Sequence, residues 1–363
     1  MPLWWLAVGL AALPYGVAHA APSNPGASPL PVLASITPTS SATAAGRPAS
    51  PSPDGPPRPE GLTEVGVGVY LLGITGIDEV DETFDIDGYL YLRWSDPRLA
   101  GGGGKGPREV RPADVWWPYT TILNARNDRT VALVRILVWP DGRVLFRERF
   151  NATVLSDMDL RRFPFDTQHV RLTVGSVAFG DNGVSFAPAA DLTGHDPELR
   201  LDSWAIGKAT GQVVTPRLDP DGTSHARFLY EVPLRREYGY YMWKVILPLL
   251  LIVGTSWSLF WLETSTLEPS LDVGVTSFLA AIAFNFAVAG SLPPVSYMTV
   301  LDGFIFTCYT AIFLAIVVDV RTWLLHQKGR IDAAERTDRW CRWAFPTAFG
   351  VTCAALVARA LWP

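Results

Sequence analysis

Two acids stand at the head of a long apolar run in "EPSLDVGVTSFLAAIAFNFAVAGSLPP", residues 268–294. Glu268 and Asp272 lie four residues apart. A carboxylate at membrane depth costs roughly 2.5–3.5 kcal/mol unless water or a partner meets it. At about 100° per residue, Glu268, Asp272, Thr276, Leu279, Ala283, Phe286 and Gly290 share one helical arc about 80° wide. That stripe carries acid and hydroxyl at one end and bulky apolar groups towards the other. Intramembrane charges face a bundle interior or a water-filled cavity. Copies of this helix around an axis would stack Glu268 and Asp272 into acidic rings, which select cations, and would make Leu279 and Phe286 constrictions that close by dewetting. The same residues also suit a plain helix start at the interface, because Pro269 fits a first helical position and acids fit a first turn. One helix encloses nothing, so the pore reading requires an oligomer.

The surrounding chain must position that stripe. From residue 62 to 238, short runs rich in Val, Ile, Tyr and Phe alternate with turn clusters, as in "VGVGVYL", "RVLFRERFNATVL" and "ARFLYEVPL". Trp139-Pro140-Asp141-Gly142 reads as a hairpin turn. The spacing predicts a β-sandwich of about eight to ten strands. After residue 239 the pattern changes to four apolar segments, with helices expected over 240–262, 269–292, 297–323 and 340–362. Each is long enough for the bilayer core. Trp243, Trp257, Trp261, Trp323, Trp340, Trp343 and Trp362 gather towards segment ends as an aromatic belt would.

The chain begins with an apolar run ending at Ala18-His19-Ala20, a cleavage pattern that predicts a signal peptide over 1–20. Residues 21–61, rich in Pro, Ser and Ala, predict a disordered tether. Between Arg321 and Arg342 six basic residues face three acids, which puts that loop in the cytoplasm. Both signals place the β domain and the C-terminus outside, in a multi-pass protein of the cell membrane. A net charge of −5 with no dominant basic patch argues against nucleic acid. The three cysteines, Cys308, Cys341 and Cys353, fall in the C-terminal third, so no disulfide staples the β domain. Their spacing is not that of metal ligands. There is no nucleophile motif, metal spacing or phosphate loop, and the five histidines are scattered. An enzyme is excluded on these grounds, and no cofactor is expected. A membrane-anchored β-sandwich binding module remains the competing class; it would have no need of an acid-Thr-Leu-Ala-Phe stripe.

"MDLRRFPFDTQHV" (158–170) resembles the signature loop of the pentameric ligand-gated ion channels, with Phe163-Pro164-Phe165-Asp166 intact. Ser156 and Val170 stand where animal members carry the bracketing cysteines, a departure shared with prokaryotic members. "WSDPRL" (94–99), "WWPYTTILN" (116–124) and "GSVAFGD" (175–181) resemble family motifs in the family's order. "ILPLLLIVGTSWSLFWLE" (246–263) is similar to the first membrane helix of the amine-gated prokaryotic member. "AFNFAVAGSLPPVSYMT" (283–299) is similar to the second helix and following loop of the proton-gated one, and "CRWAFPTAFG" (341–350) to the start of the last helix.

The resemblance spans roughly residues 62–363. It implies an immunoglobulin-like extracellular sandwich on a four-helix membrane domain, five copies of which surround a pore. It implies a pore lined by the 268–290 stripe, permeant monovalent cations, possible divalent block, and contact with membrane lipids. Asp272 occupies a site where the relatives carry neutral polar residues. Coupling between the domains is implied at Gly76–Thr83 (with Asp78 and Glu79), at Phe165 and Asp166, at Arg235 and Arg236, and at Leu292–Met298 (with Pro293). Asp166, Asp78 or Glu79 can pair with one of the two arginines. The agonist, a small molecule or protons, would act between neighbouring β domains. Its candidate contacts are Tyr89, Tyr91, Val177, Phe179, His225 and Phe228. An amine agonist is in doubt, because Gly175-Ser176-Val177 replaces an aromatic there.

Overall fold

The computed structural model describes residues 55–57, 61–101, 106–176, 183–214, 224–261, 267–289 and 295–361. The expected signal peptide, most of the expected tether, Val177, Phe179, Gly290 and Pro293 lie outside these residues, as does the side chain of Glu268.

Alternation of inward apolar and outward polar side chains builds two sheets. Along the chain the strands are β1 (Thr63–Asp78), β2 (Thr83–Ser95), β3 (Arg108–Val110), β4 (Thr120–Ile122), β5 (Thr130–Val138) and β6 (Arg143–Leu155). They continue as β7 (Thr167–Ser176), β8 (Val184–Pro188), β9 (Gly194–His195), β10 (Trp204–Ile206), β11 (Thr210–Val214) and β12 (Arg227–Arg236). One sheet runs β3-β5-β6-β2-β1-β8, with β9 on β1; the other runs β10-β12-β7-β4, with β11 on β12. The described residues thus hold twelve strands, more than the eight to ten expected, because β3, β4, β9 and β10 are only two or three residues long. Such runs are too short for a period to register in the sequence.

Val65, Val67, Val69 and Leu71 of β1 face Phe228, Tyr230, Val232 and Leu234 of β12 in one core that includes Trp94, Trp116 and Phe146. Burial pushes the Tyr230 hydroxyl well above its ordinary pKa, and this hydroxyl donates to the Gly194 carbonyl at 2.7 Å. The β5–β6 hairpin closes at Trp139–Gly142, where Gly142 takes φ +86° and donates to the Trp139 carbonyl. The Ser156 hydroxyl donates to the carbonyl of His169, the residue before Val170.

Four helices follow, Gly239–Trp261, Leu267–Ala289, Val300–Gln327 and Ile331–Leu361, each long and apolar enough to cross a membrane. The third starts at a capping box: the Thr299 hydroxyl accepts from the Asp302 N–H at 3.1 Å, and Asp302 accepts from the Thr299 N–H at 3.0 Å. The segment expected to be a loop from Arg321 to Arg342 is mostly helix, with the turn confined to residues 328–330. Its charge density hides the helix from hydropathy. Ala334, Asp338 and Cys341, spaced four and three apart, are nonetheless buried on one face. Pro346 interrupts the last helix and leaves the Arg342 carbonyl without its i+4 donor. The Trp257 indole supplies one at 3.2 Å, and Arg342 Nε donates to the Phe260 carbonyl at 2.7 Å, tying the last helix to the first.

Candidate functional site

The second helix has two opposite faces. Ser270, Gly274, Ser277 and Ala281 are buried against the protomer's own bundle. A Cβ on Gly274 would come within 2.7 Å of Ile316 Cγ1, so the second and third helices meet closely there. The Ser277 hydroxyl lies 3.0 Å from that of Thr255 on the first helix. About 180° round the helix, Asp272, Thr276, Leu279, Ala283 and Phe286 are all exposed, with Leu279 at 64 % and Phe286 at 75 %. The structure therefore brings the described members of the stripe onto the face that leaves the bundle. Val275, 56 % exposed, joins them. It sits about 20° beyond the arc drawn from the sequence, so a slightly wider arc would have caught it.

A second constellation joins the β domain to the helices. Arg236, at the end of β12, is 3 % exposed and Asp166 is 1 % exposed. Arg236 Nε and Nη2 donate to the two Asp166 oxygens at 2.8 and 3.1 Å, and Nη1 donates to Glu79 Oε1 at 2.6 Å. Its guanidinium carbon lies 4.1 Å from the Trp204 ring centre and 4.7 Å from that of Phe163. Burial alone would lower the pKa of Arg236, but the hydrogen bonds and charges of Asp166 and Glu79 outweigh it and raise it. Gln168 Nε2 donates to Asp166 Oδ2 at 2.6 Å, so the carboxylate is satisfied on both oxygens.

Of the alternatives the sequence left open, Arg236 with Asp166 and Glu79 is the one formed. Arg235 points outward and is exposed. Asp78 instead accepts from the N–H groups of Val80 and Asp81, closing the β1–β2 turn. Phe165 packs on Tyr238 at 5.3 Å between ring centres.

Below this cluster the loop before β7 enters the top of the helices. Leu160 and Phe163 share a core with Val245, Leu249, Leu301 and Phe304. The Leu160 N–H donates to the Tyr297 hydroxyl at 3.0 Å, Arg161 stacks 4.9 Å over the Tyr297 ring, and the Leu301 N–H donates to the Phe163 carbonyl at 3.2 Å. Trp204 was missed from the sequence, as was Tyr241, whose ring centre lies 4.7 Å from that of Phe163. Gln168 falls inside the quoted signature loop and Tyr297 inside the Leu292–Met298 coupling segment, but neither was singled out.

The aromatic candidates are dispersed. Tyr89 and Tyr91 lie on the outer face of β2, 5.9 Å apart, with the Arg147 guanidinium 5.2 Å over Tyr89. Burial raises the Tyr91 hydroxyl pKa, with Arg147 opposing. Phe228 is a correction: it is fully buried in the sandwich core, because its parity along β12 matches Tyr230 and Val232. His225 is half-buried just before β12. Among the described residues no three His, Cys, Asp or Glu side chains gather as a metal site would require.

A family model described as "Neurotransmitter-gated ion-channel ligand binding domain" matches residues 53–212. The chain is 34 % identical over 304 residues to the "Proton-gated ion channel" of Gloeobacter violaceus, covering 82 % of this chain and 83 % of that one. It is 26 % identical over 301 residues to the "Gamma-aminobutyric acid receptor subunit rho-2" of Homo sapiens, and 29 % identical over 263 residues to the "Gamma-aminobutyric acid receptor subunit beta-4" of Gallus gallus. It covers 79 % and 70 % of its own length in these matches but spans only 63 % and 53 % of the two receptor subunits. With a β-sandwich seated on four membrane-length helices and a likeness running over four-fifths of both chains, the protein belongs to the pentameric ligand-gated ion channels, a family of channels and not of enzymes.

Proposed function

We propose that five identical chains form a cation-selective channel lined by the second helix and opened by protons or a small ligand acting on the β domain. The observation that carries this reading is the opposition of faces on that helix. Its small buried residues hold the bundle, while acid, hydroxyl and bulky apolar groups leave it in one stripe. A helix packed on one side only has an unsatisfied opposite face, and rings of carboxylate at one end favour cations. Glu268 and Asp272 are the selectivity residues; Thr276, Ala283 and Gly290 line the path; Leu279 and Phe286 form the shut gate. Arg236, Asp166 and Glu79, with Phe165 beside Asp166 in the sequence, carry motion from sandwich to helices, and Pro293 in the segment before the third helix takes part in receiving it.

Protons are favoured over an amine. The relative that is 34 % identical over 82 % of the chain is named for proton gating. Arg147 already covers Tyr89, where a cationic agonist would need an open ring face, and Phe228 lies in the core. We further propose that residues 1–20 are a signal peptide and 21–61 a tether, which puts the β domain on the periplasmic side of the inner membrane. The test is purified protein in planar bilayers, with pH steps and a panel of amines, acids and amino acids applied to the β-domain side. Currents evoked by acid alone support proton gating. Silence to acid with currents to one small molecule assigns a ligand, and silence to every stimulus contradicts the channel reading.

A further inference from the structure

On the outer face of the β10-β12-β7-β4 sheet, a histidine and a glutamate meet across neighbouring strands. Arg171 of β7 is directly opposite Glu231 of β12, and His169 stands two residues along β7, opposite Pro233. Arg171 Nε donates to Glu231 Oε1 at 3.0 Å, and His169 Nδ1 lies 2.9 Å from the same oxygen. Cross-strand neighbours at these positions interact directly and diagonally. The His169 side chain is 40 % exposed, yet Nδ1 is shut off from water, so the ring meets solvent along its other edge. Imidazole is the side chain whose charge ordinarily changes between about pH 5 and 8. A carboxylate beside Nδ1 favours the neutral tautomer with its hydrogen on that atom, which leaves Nε2 on the open edge to take up a proton. Once charged, the ring shares Glu231 with the Arg171 guanidinium, and a polar contact between strands becomes an ion pair.

The surrounding charges come from each neighbouring element. Arg171 on β7 and exposed Arg235 on β12 share the outward face. Exposed Lys208 follows Gly207, whose N–H donates to the Pro233 carbonyl on the far side of β12. Asp157, also exposed, follows Ser156, whose hydroxyl holds the His169 carbonyl. The three cations oppose charging of the imidazole, and Glu231 and Asp157 favour it. The two strands joined here are those that frame the buried pair at the membrane end of the sandwich: β7 starts directly after Asp166, and β12 ends at Arg236. His169 is three residues from Asp166, about 10 Å along the strand.

We infer that His169, held by Glu231, is a proton-binding group through which acid acts on the channel, an inference that rests on the proton reading above. A proton shifts the gating equilibrium only by binding one state more tightly than the other. The charged pair supplies that difference by drawing β7 against β12, and with them the alignment of Asp166 and Arg236 over the helices.

The experiment is the pH–response curve of acid-evoked current in planar bilayers, for wild type and for variants that keep the pentamer peak on size-exclusion chromatography. His169→Gln and Glu231→Gln should each move the half-activating pH towards acid by roughly half a unit. The double variant should move it no further than the larger single change, because the two residues form one interaction. His169→Lys, which keeps a cation beside Glu231 at every pH, should move the half-activating pH towards neutral. If wild type opens with acid and His169→Gln keeps the wild-type curve, the inference falls while the proton reading stands. Additive shifts in the double variant, or a His169→Lys curve that coincides with that of His169→Gln, overturn it as well. Silence of wild type to acid removes the proton reading itself, and this inference with it.

Discussion

Replacing Arg236 by Gln tests the join between sandwich and helices. The guanidinium is 3 % exposed and makes three hydrogen bonds to two carboxylates, one of them 1 % exposed. Removing one partner of a buried pair leaves an uncompensated charge and costs about 3–5 kcal/mol. Glu79, at 20 % exposure, is wetter and adds less. Arg235, next in sequence but exposed, supplies the control, since such surface changes stay within about 0.5 kcal/mol. At roughly 2 °C per kcal/mol, Arg236→Gln should lower the unfolding midpoint of the pentamer by about 6 °C or more, and Arg235→Gln by about 1 °C. Midpoints are read from loss of the pentamer peak in size-exclusion chromatography after heating. Arg236→Gln combined with Asp166→Asn should cost less than the sum of the single changes, because the partners share one interaction. Equal midpoints for the two arginine variants would refute the reasoning.

Three further expectations follow from the same geometry. Leu279→Ser should open with less stimulus, since a hydroxyl on this exposed position keeps the constriction wet; a higher requirement in dose–response recordings would move the gate elsewhere. Gly274→Leu should prevent the second and third helices from closing, because even a Cβ would sit 2.7 Å from Ile316, and the yield of pentamer on size-exclusion chromatography should collapse. Thr299→Ala should remove the capping box that starts the third helix at a cost of about 1 kcal/mol, seen as a midpoint lowered by about 2 °C, whereas Thr299→Ser should be nearly silent.

Much of the architecture was legible because it follows from periods. Alternation over "RVLFRERFNATVL" became β6, and the apolar lengths after residue 239 became four helices. Parity held more than was taken from it. Phe228, Tyr230, Val232, Leu234 and Arg236 share one face of β12, so the burial of Phe228 and the choice of Arg236 over Arg235 were both written in the alternation. The start of the last helix at Ile331 was hidden, since "RIDAAERTDRW" is polar and only its spacing of buried Ala334, Asp338 and Cys341 marks a packed face. The stripe on the second helix was readable as an arc, because each described member must leave the bundle once Gly274 and Ser277 enter it. Trp204 was not readable, and Tyr297 was readable only as a member of the Leu292–Met298 segment. Their roles come from sheet pairing and from a loop meeting a helix start far away in sequence, contacts that no local pattern encodes.

The reversal potential under a salt gradient, measured for wild type and for Glu268→Gln/Asp272→Asn, bears most directly on the proposed pore. The two acids are one helical turn apart, about 6 Å, less than the roughly 8–10 Å screening length at ordinary salt, so their rings act together. Wild type should reverse close to the cation equilibrium potential, and the double variant should shift clearly towards zero, with each single change giving a smaller shift. A reversal potential unchanged in the double variant would mean that these carboxylates stand outside the ion path and merely start a helix.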